Sequence, residues 1–210
     1  PGGGGNQGGG ENPGGGGNGL PNNPELPVIK VTANPEDDSF KEIFIGKNKV
    51  EDNINGNNKT NKIDGKGKND KLKGKGGEDY LYGGKGADTL KGGKGKDVLQ
   101  GGNKKDILNG GKGKDVLYGG DGGDTLTGGK SKDTFVLSSG KDMITDFEIG
   151  KDYIGLVYAL DLKFKQKGDD LRIKGNDEVN TLLVGIDKDD FLGFINNNSE
   201  AITVVEVDVI

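Results

Sequence analysis

The chain has 210 residues, of which 43 are Gly and only 29% are hydrophobic, and it carries a formal charge of −5. With no Cys and no His it has no disulfides, no Ser-His-Asp or Cys-His catalytic set and no zinc-peptidase motif. So Gly-rich a mixture does not assemble a conventional compact core, and no apolar run is long enough for a transmembrane helix.

Residues 1–27 are Gly, Asn and Pro with almost nothing apolar, and read as a flexible linker. A Gly-x-Gly-x-x-Gly match at Gly14, Gly16 and Gly19 follows no strand, so it carries no nucleotide-binding meaning. No N-terminal signal peptide is visible. Residues 28–73 read as a lead-in region, with a short strand at 27–31, followed by degenerate N-terminal coils. In those coils the glycines thin out and Asn61 stands where later units have Asp. Terminal repeats are often atypical in this way, and poor or absent metal sites are expected there.

A large apolar residue recurs every nine positions: Ile45, Ile54, Ile63, Leu72, Leu81, Leu90, Leu99, Leu108, Leu117, Leu126, Phe135, Ile144. From Asp70 onward an Asp lies two residues before each of them. The regular block is placed at residues 74–145, and Gly92-Gly93-Lys94-Gly95-Lys96-Asp97-Val98-Leu99-Gln100 is its cleanest unit. A fixed period means one structural unit stacked many times. The unit requires one buried side chain, one carboxylate, and glycines whose positive φ permits tight turns. Carboxylates and backbone carbonyls without His or Cys make a hard oxygen donor set, which suits calcium over zinc or copper.

Three units depart from the pattern: Lys75 replaces the second Gly of its unit, and Lys104 and Ser131 replace the fourth. If those positions require positive φ, each side chain costs about 1 kcal/mol. Residues 65–136 hold 15 Lys and 10 Asp or Glu, so the block is basic by five charges. Lys85, Lys94, Lys96, Lys112, Lys114, Lys130 and Lys132 fill the variable turn positions. They are read as a solvated edge in preference to a basic strip for an anionic surface polysaccharide or lipid. Tyr80, Tyr82 and Tyr118 are read as strand-face packing in preference to a sugar platform.

Residues 146–210 are expected to form a C-terminal cap. Alternation predicts strands at 162–166, 171–174, 181–184 and 203–210, with a turn at Gly168-Asp169 and a short helix over 187–195. The cap is expected to supply the hydrophobic core that the repeats lack.

The nonapeptide G-G-x-G-x-D-x-U-x, with U large and apolar, resembles the RTX (hemolysin-type) calcium-binding repeat. The resemblance implies an all-β fold, a parallel β-roll with a small β-rich cap, in which six residues of each unit form a turn and three a short strand. It implies several Ca2+ ions, each between turns stacked two units apart. The carboxylates implied are Asp79, Asp88, Asp97, Asp106, Asp115, Asp124, Asp133 and Asp142. The implied carbonyls are those of Gly83, Gly84, Gly86, Gly92, Gly93, Gly95, Gly101, Gly102, Gly110, Gly111, Gly113, Gly119, Gly120 and Gly122. Pairing Asp79 with Asp97, and so on at steps of 18, gives at most six ions in two rows, with the Asp97–Asp115 site free of defects.

The resemblance further implies a secreted, extracellular protein exported by type I secretion, with a signal in 146–210 ending at Val207-Asp208-Val209-Ile210. Calcium and the type I machinery are the expected partners, and no nucleic-acid partner is expected. No catalysis is expected of the chain itself. The alternatives are the C-terminal fragment of a larger secreted enzyme (protease, lipase or epimerase) and an adhesin or surface-layer component.

Overall fold

A computed structural model describes residues 28–31, 42–157, 162–176, 178–199 and 201–207, with backbone alone for 28–31 and 204–207. The linker at 1–27 and the last three residues of the expected 203–210 strand lie outside the described residues.

Two nine-stranded sheets face one another. The first runs β2 (Glu42–Ile45), β4 (Asn61–Asp64), β6 (Tyr80–Lys85), β8 (Val98–Asn103), β10 (Val116–Asp121), β12 (Thr134–Leu137), β14 (Tyr153–Leu156), β18 (Ile202–Val207), β1 (Val28–Val31). The second runs β3 (Asn53–Asn55), β5 (Lys71–Gly76), β7 (Thr89–Lys94), β9 (Ile107–Lys112), β11 (Thr125–Lys130), β13 (Met143–Ile144), β17 (Asn180–Leu183), β16 (Asp170–Lys174), β15 (Lys163–Lys167). The chain alternates between the sheets at every unit, so two units make one coil. Strands two units apart pair in parallel, as Leu81 with Leu99 and Leu90 with Leu108. This is the parallel β-roll that the resemblance implies.

The strands are longer than expected. In the regular coils six residues of each unit are strand, because pairing continues through the Gly pair (Gly84 with Gly102, Gly93 with Gly111). Only three residues, such as 86–88 or 95–97, are left to turn the chain.

Inward side chains form two files. Ile63, Leu81, Leu99, Leu117, Phe135 and Ile154 come from one sheet, and Leu72, Leu90, Leu108, Leu126, Ile144 and Leu183 from the other; all are buried. The repeats therefore have a core of their own, contrary to the expectation that they lack one. It is continuous with that of the cap. The contacts Phe135–Phe147, Phe147–Phe191 and Phe191–Phe164, with ring centroids 6.0, 5.8 and 5.8 Å apart, carry it from roll to cap.

Ile45 does not hold the beat at the N-terminal end. Phe44 pairs with Ile63 and packs on the core, whereas Ile45 is 65% exposed. Strands β2 and β4 thus stack 19 residues apart, one more than the regular 18, and the extra residue shifts the alternation by one, which flips every side chain to the other face.

The cap elements fall close to their predicted places. Strands β15, β16 and β17 form an antiparallel meander, and β17 pairs in parallel with β13, so the meander prolongs one sheet. Helix α1 (Lys188–Asn197) is capped by Asp187, whose carboxylate accepts from the N–H groups of Asp189 and Asp190, and it buries Phe191 and Ile195. Strand β18 prolongs the other sheet beside β14. Strand β1 pairs in parallel with β18, at the edge of the sheet opposite β2.

Candidate metal centre

The Asp before each strand closes a turn and points into the stack. All eight predicted carboxylates are at most 3% exposed. The alternation of strands divides them into two rows along the two edges of the roll. Asp88, Asp106, Asp124 and Asp142 share one edge with Gly83, Gly84, Gly86, Gly101, Gly102, Gly119, Gly120 and Gly122. Asp79, Asp97, Asp115 and Asp133 share the other with Gly92, Gly93, Gly95, Gly110, Gly111 and Gly113.

Within each row one carboxylate oxygen ties adjacent coils together. The Asp97 Oδ1 accepts from the N–H of Asp79 at 2.9 Å, Asp106 from Asp88 at 2.7 Å, Asp115 from Asp97 at 2.9 Å, Asp124 from Asp106 at 2.8 Å, Asp133 from Asp115 at 2.9 Å, and Asp142 from Asp124 at 3.0 Å. The second oxygen is left over. The Oδ2 atoms of Asp70, Asp79, Asp88, Asp97, Asp106, Asp115 and Asp124 are buried without a hydrogen-bond partner. A buried orphan carboxylate oxygen costs several kcal/mol unless a cation meets it.

The backbone runs close beside these orphans. A Cβ on Gly74 would lie 2.2 Å from Asp79 Oδ2 and 2.7 Å from the carbonyl of Gly92. On Gly83 it would lie 2.5 Å from Asp88 Oδ2 and 2.6 Å from the Gly101 carbonyl, and on Gly101 2.4 Å from Asp106 Oδ2 and 2.6 Å from the Gly119 carbonyl. At these turns the first Gly is required by the convergence of a carboxylate and a carbonyl on the position of a Cβ, and at Gly92 and Gly119 by the side chains of Asp97 and Asp124. Among the described residues no three acidic side chains gather at one point. The donors are instead carboxylates of successive coils with main-chain carbonyls, an all-oxygen set that fits calcium.

Burial pushes these carboxyl groups up: Asp88, Asp97 and Asp133 to about 6, Asp79, Asp115 and Asp142 to about 7, and Asp106 to about 8. Hydrogen bonds from the coil below act in the opposite direction and do not offset the loss of water.

The departures from the repeat do occupy left-handed backbone. Lys75 has φ +85°, Lys104 +77° and Ser131 +97°, and Lys66 and Lys68 join them at +72° and +82°. At the fourth position of the unit the glycines span φ +106° at Gly77 and +109° at Gly140 up to +154°, and the other residues lie lower. Gly86, Gly95, Gly113 and Gly122 lie at +154°, +128°, +138° and +154°, where a Cβ would come within 1.6 to 1.9 Å of a carbonyl one coil below. Lys68, Lys104 and Ser131 reach only +77° to +97°. Gly95 and Gly113 are the fourth residues of the Asp97 and Asp115 turns.

Several residues join the rows beyond those the repeat marked. Asp70 is buried and its Oδ2 is unpartnered, while its Oδ1 accepts from Asp52 N–H at 2.7 Å, so that row starts a coil earlier than expected. Asn61 has no free oxygen, since its Oδ1 accepts from Asn57 N–H at 2.8 Å. Asp152 ends the other row, accepting from the N–H groups of Asp133 at 3.0 Å and Glu148 at 2.9 Å. Its signal is the Asp-x-apolar run Asp152-Tyr153-Ile154, displaced by one residue from the period. Asp142 differs within its row, because Ser138 Oγ donates to its second oxygen at 3.0 Å.

The model of the RTX calcium-binding nonapeptide repeat matches residues 55–90, 91–126 and 113–144. No curated protein matches the chain in sequence. Among solved structures, the extracellular lipase LipA from Serratia marcescens is similar at 16% identity and a TM-score of 0.35, covering 75% of this chain. The chain spans 40% of the length of that lipase. The AlgE6R3 subunit from the Azotobacter vinelandii mannuronan C5-epimerase is similar at 21% identity and a TM-score of 0.20, covering 77% of this chain and 83% of the subunit. With the repeats matched, the strands parallel and the carboxylates stacked at the step of two units, residues 55–144 form an RTX calcium-binding β-roll.

Proposed function

We propose that the chain is a calcium-folded module of a secreted protein, held unfolded at cytosolic calcium and folded outside the cell. The observation that carries this reading is the series of buried Oδ2 atoms without partners from Asp70 to Asp124. The ligands proposed are Asp79, Asp88, Asp97, Asp106, Asp115, Asp124, Asp133 and Asp142, with carbonyls of the glycines in the same turns. Paired at steps of 18, they give up to six ions, and Asp70 with Asp88 adds a further pair.

Bound calcium supplies positive charge that offsets the desolvation of the carboxylates. The chain's own residues do the rest. Each Oδ1 fixes the turn of the coil below, the glycines keep the cradle free of side chains, and the Leu files exclude water from one side. One large buried residue per nine is little burial for the backbone it must order. Folding is therefore coupled to metal, as in other domains whose site exists only in the native state. Affinities of about 10⁻⁴ to 10⁻³ M, the range of extracellular modules, match a switch between cytosol and medium.

Export by a type I system, with the C-terminal segment as signal, completes the proposal and agrees with the family. Circular dichroism and calorimetry test the folding: calcium should produce β-structure with saturable, cooperative uptake, and EDTA should abolish it. A spectrum indifferent to EDTA across the roll sinks the proposal.

A further inference from the structure

On the edge of the roll that carries Asp70, Asp88 and Asp106, a cavity of about 720 Å3 is lined by Lys66, Lys68, Lys85 and Lys104. Asn48, Asn69 and Glu51 complete its polar wall. Its volume falls in the range of small-molecule sites. Four cations face one carboxylate. Lys66 pairs with Asp64, and among the described residues neither Lys68, Lys85 nor Lys104 forms an ion pair.

The backbone at these positions makes the clustering notable. Lys66, Lys68 and Lys104 are three of the five non-Gly residues with positive φ among the described residues. Equivalent turns use Gly84, Gly86, Gly95 and Gly113, so a strain-free alternative exists in the same stack. Each Lys costs about 1 kcal/mol over Gly there. Strained residues that persist and converge on one concavity mark a function. Folding brings them together from three successive coils: Lys85 donates its N–H to the Lys66 carbonyl at 2.9 Å, and Gly67 bridges to Lys85.

We infer that this cavity binds a soluble, multiply charged oxyanion, a small carrier bearing several sulfate or phosphate esters. Ammonium groups act as compact point charges that suit such oxygens from many directions. Calcium loading strengthens the site, because it offsets the buried carboxylates behind the lysines. The opposite edge provides an internal comparison. Lys94, Lys112 and Lys130 stack there in register as a basic file, outside this cavity.

The inference rests on the calcium-folded roll, and the experiment separates the two. The full chain in saturating calcium is titrated with sucrose octasulfate by calorimetry, with its fold followed by circular dichroism. Inorganic sulfate and phosphatidylserine vesicles serve as further probes. One saturable site for the sulfated sugar is expected, with much weaker binding of sulfate. The double variant K68G/K104G should lower the affinity about tenfold or more while melting higher than the parent, because the strain is relieved. The variant K94Q/K112Q/K130Q should bind within about twofold of the parent.

Equal losses in the two variants would show diffuse electrostatic attraction and overturn the site. Absence of saturable binding by a folded roll would overturn it alone. Binding to vesicles but not to the soluble sugar would assign the patch to a membrane surface and overturn the soluble ligand. A chain that fails to fold with calcium would overturn the site together with the reading beneath it.

Discussion

Removing calcium should give the roll an inverted response to acid. Burial raises the carboxyl groups of Asp79, Asp115 and Asp142 to about 7 and of Asp106 to about 8. The folded chain then holds protons more tightly than the unfolded one. Their stabilising effect is complete below about pH 4 and is lost as pH rises through 6 to 8. A displacement from 3.8 to about 7 corresponds to about 4 kcal/mol for one carboxylate, and solvent reaching the turn edge reduces it to about 2. Summed over the rows, the effect is on the order of 10 kcal/mol, comparable to the whole stability of a domain.

In EDTA the chain should therefore be least folded near pH 8 and should gain β-structure as pH falls towards 5. In calcium the sign reverses, because protons compete with the ion for the same oxygens. Circular dichroism and thermal melts across that pH range, with and without calcium, read both slopes. If the metal-free chain loses structure on acidification, or both slopes share a sign, the account of buried, desolvated carboxylates is wrong.

Asp97→Asn keeps an oxygen for the Asp79 N–H and removes the charge, so it should stabilise the EDTA form by about 1–2 kcal/mol while lowering calcium stoichiometry. Asp142→Asn should change stoichiometry less, since Ser138 already occupies its second oxygen; calorimetry of the two variants ranks them. Gly95→Ala drives a Cβ to 1.7 Å from the Gly77 carbonyl and should cost several kcal/mol, whereas Gly150→Ala, with nothing within 4 Å at φ +82°, should cost about 1–2 in calcium melts. Leu99→Ala, at a fully buried position in the middle of its file, should cost about 3–4 kcal/mol by chemical denaturation in calcium.

The roll was legible where the sequence repeats itself. A stack of equal units writes its register directly into the chain, so the inward Leu positions and the Asp before each strand follow from a period of nine, and their stacking two units apart from the resemblance. Legibility failed where the step changes by one residue, at Phe44 against Ile63 and at Asp152 against Asp133. There the local alternation is unchanged, and only the pairing reveals which residue turns inward. The positions needing positive φ were readable from their glycines, which is how Lys75, Lys104 and Ser131 could be singled out beforehand. What no local pattern announces is the joining of β1 to β18, or the continuation of both sheets into the cap. Those pairings depend on which edges the finished stack leaves open.

The same stacking gives the molecule a mechanical character. Each coil is bound chiefly to its two neighbours, with carboxylates and strands linking residues 18 apart. A pull on the chain ahead of β2, once the short β1–β18 pairing has yielded, loads one coil at a time. The first coil peels while the rest stay stacked. Every release would pay out 18 residues, about 60 Å of contour. Extension would proceed as a regular sawtooth from the N-terminal end, its peak force set by the calcium in the surrounding medium. Such a module is a spool whose ratchet is an ion.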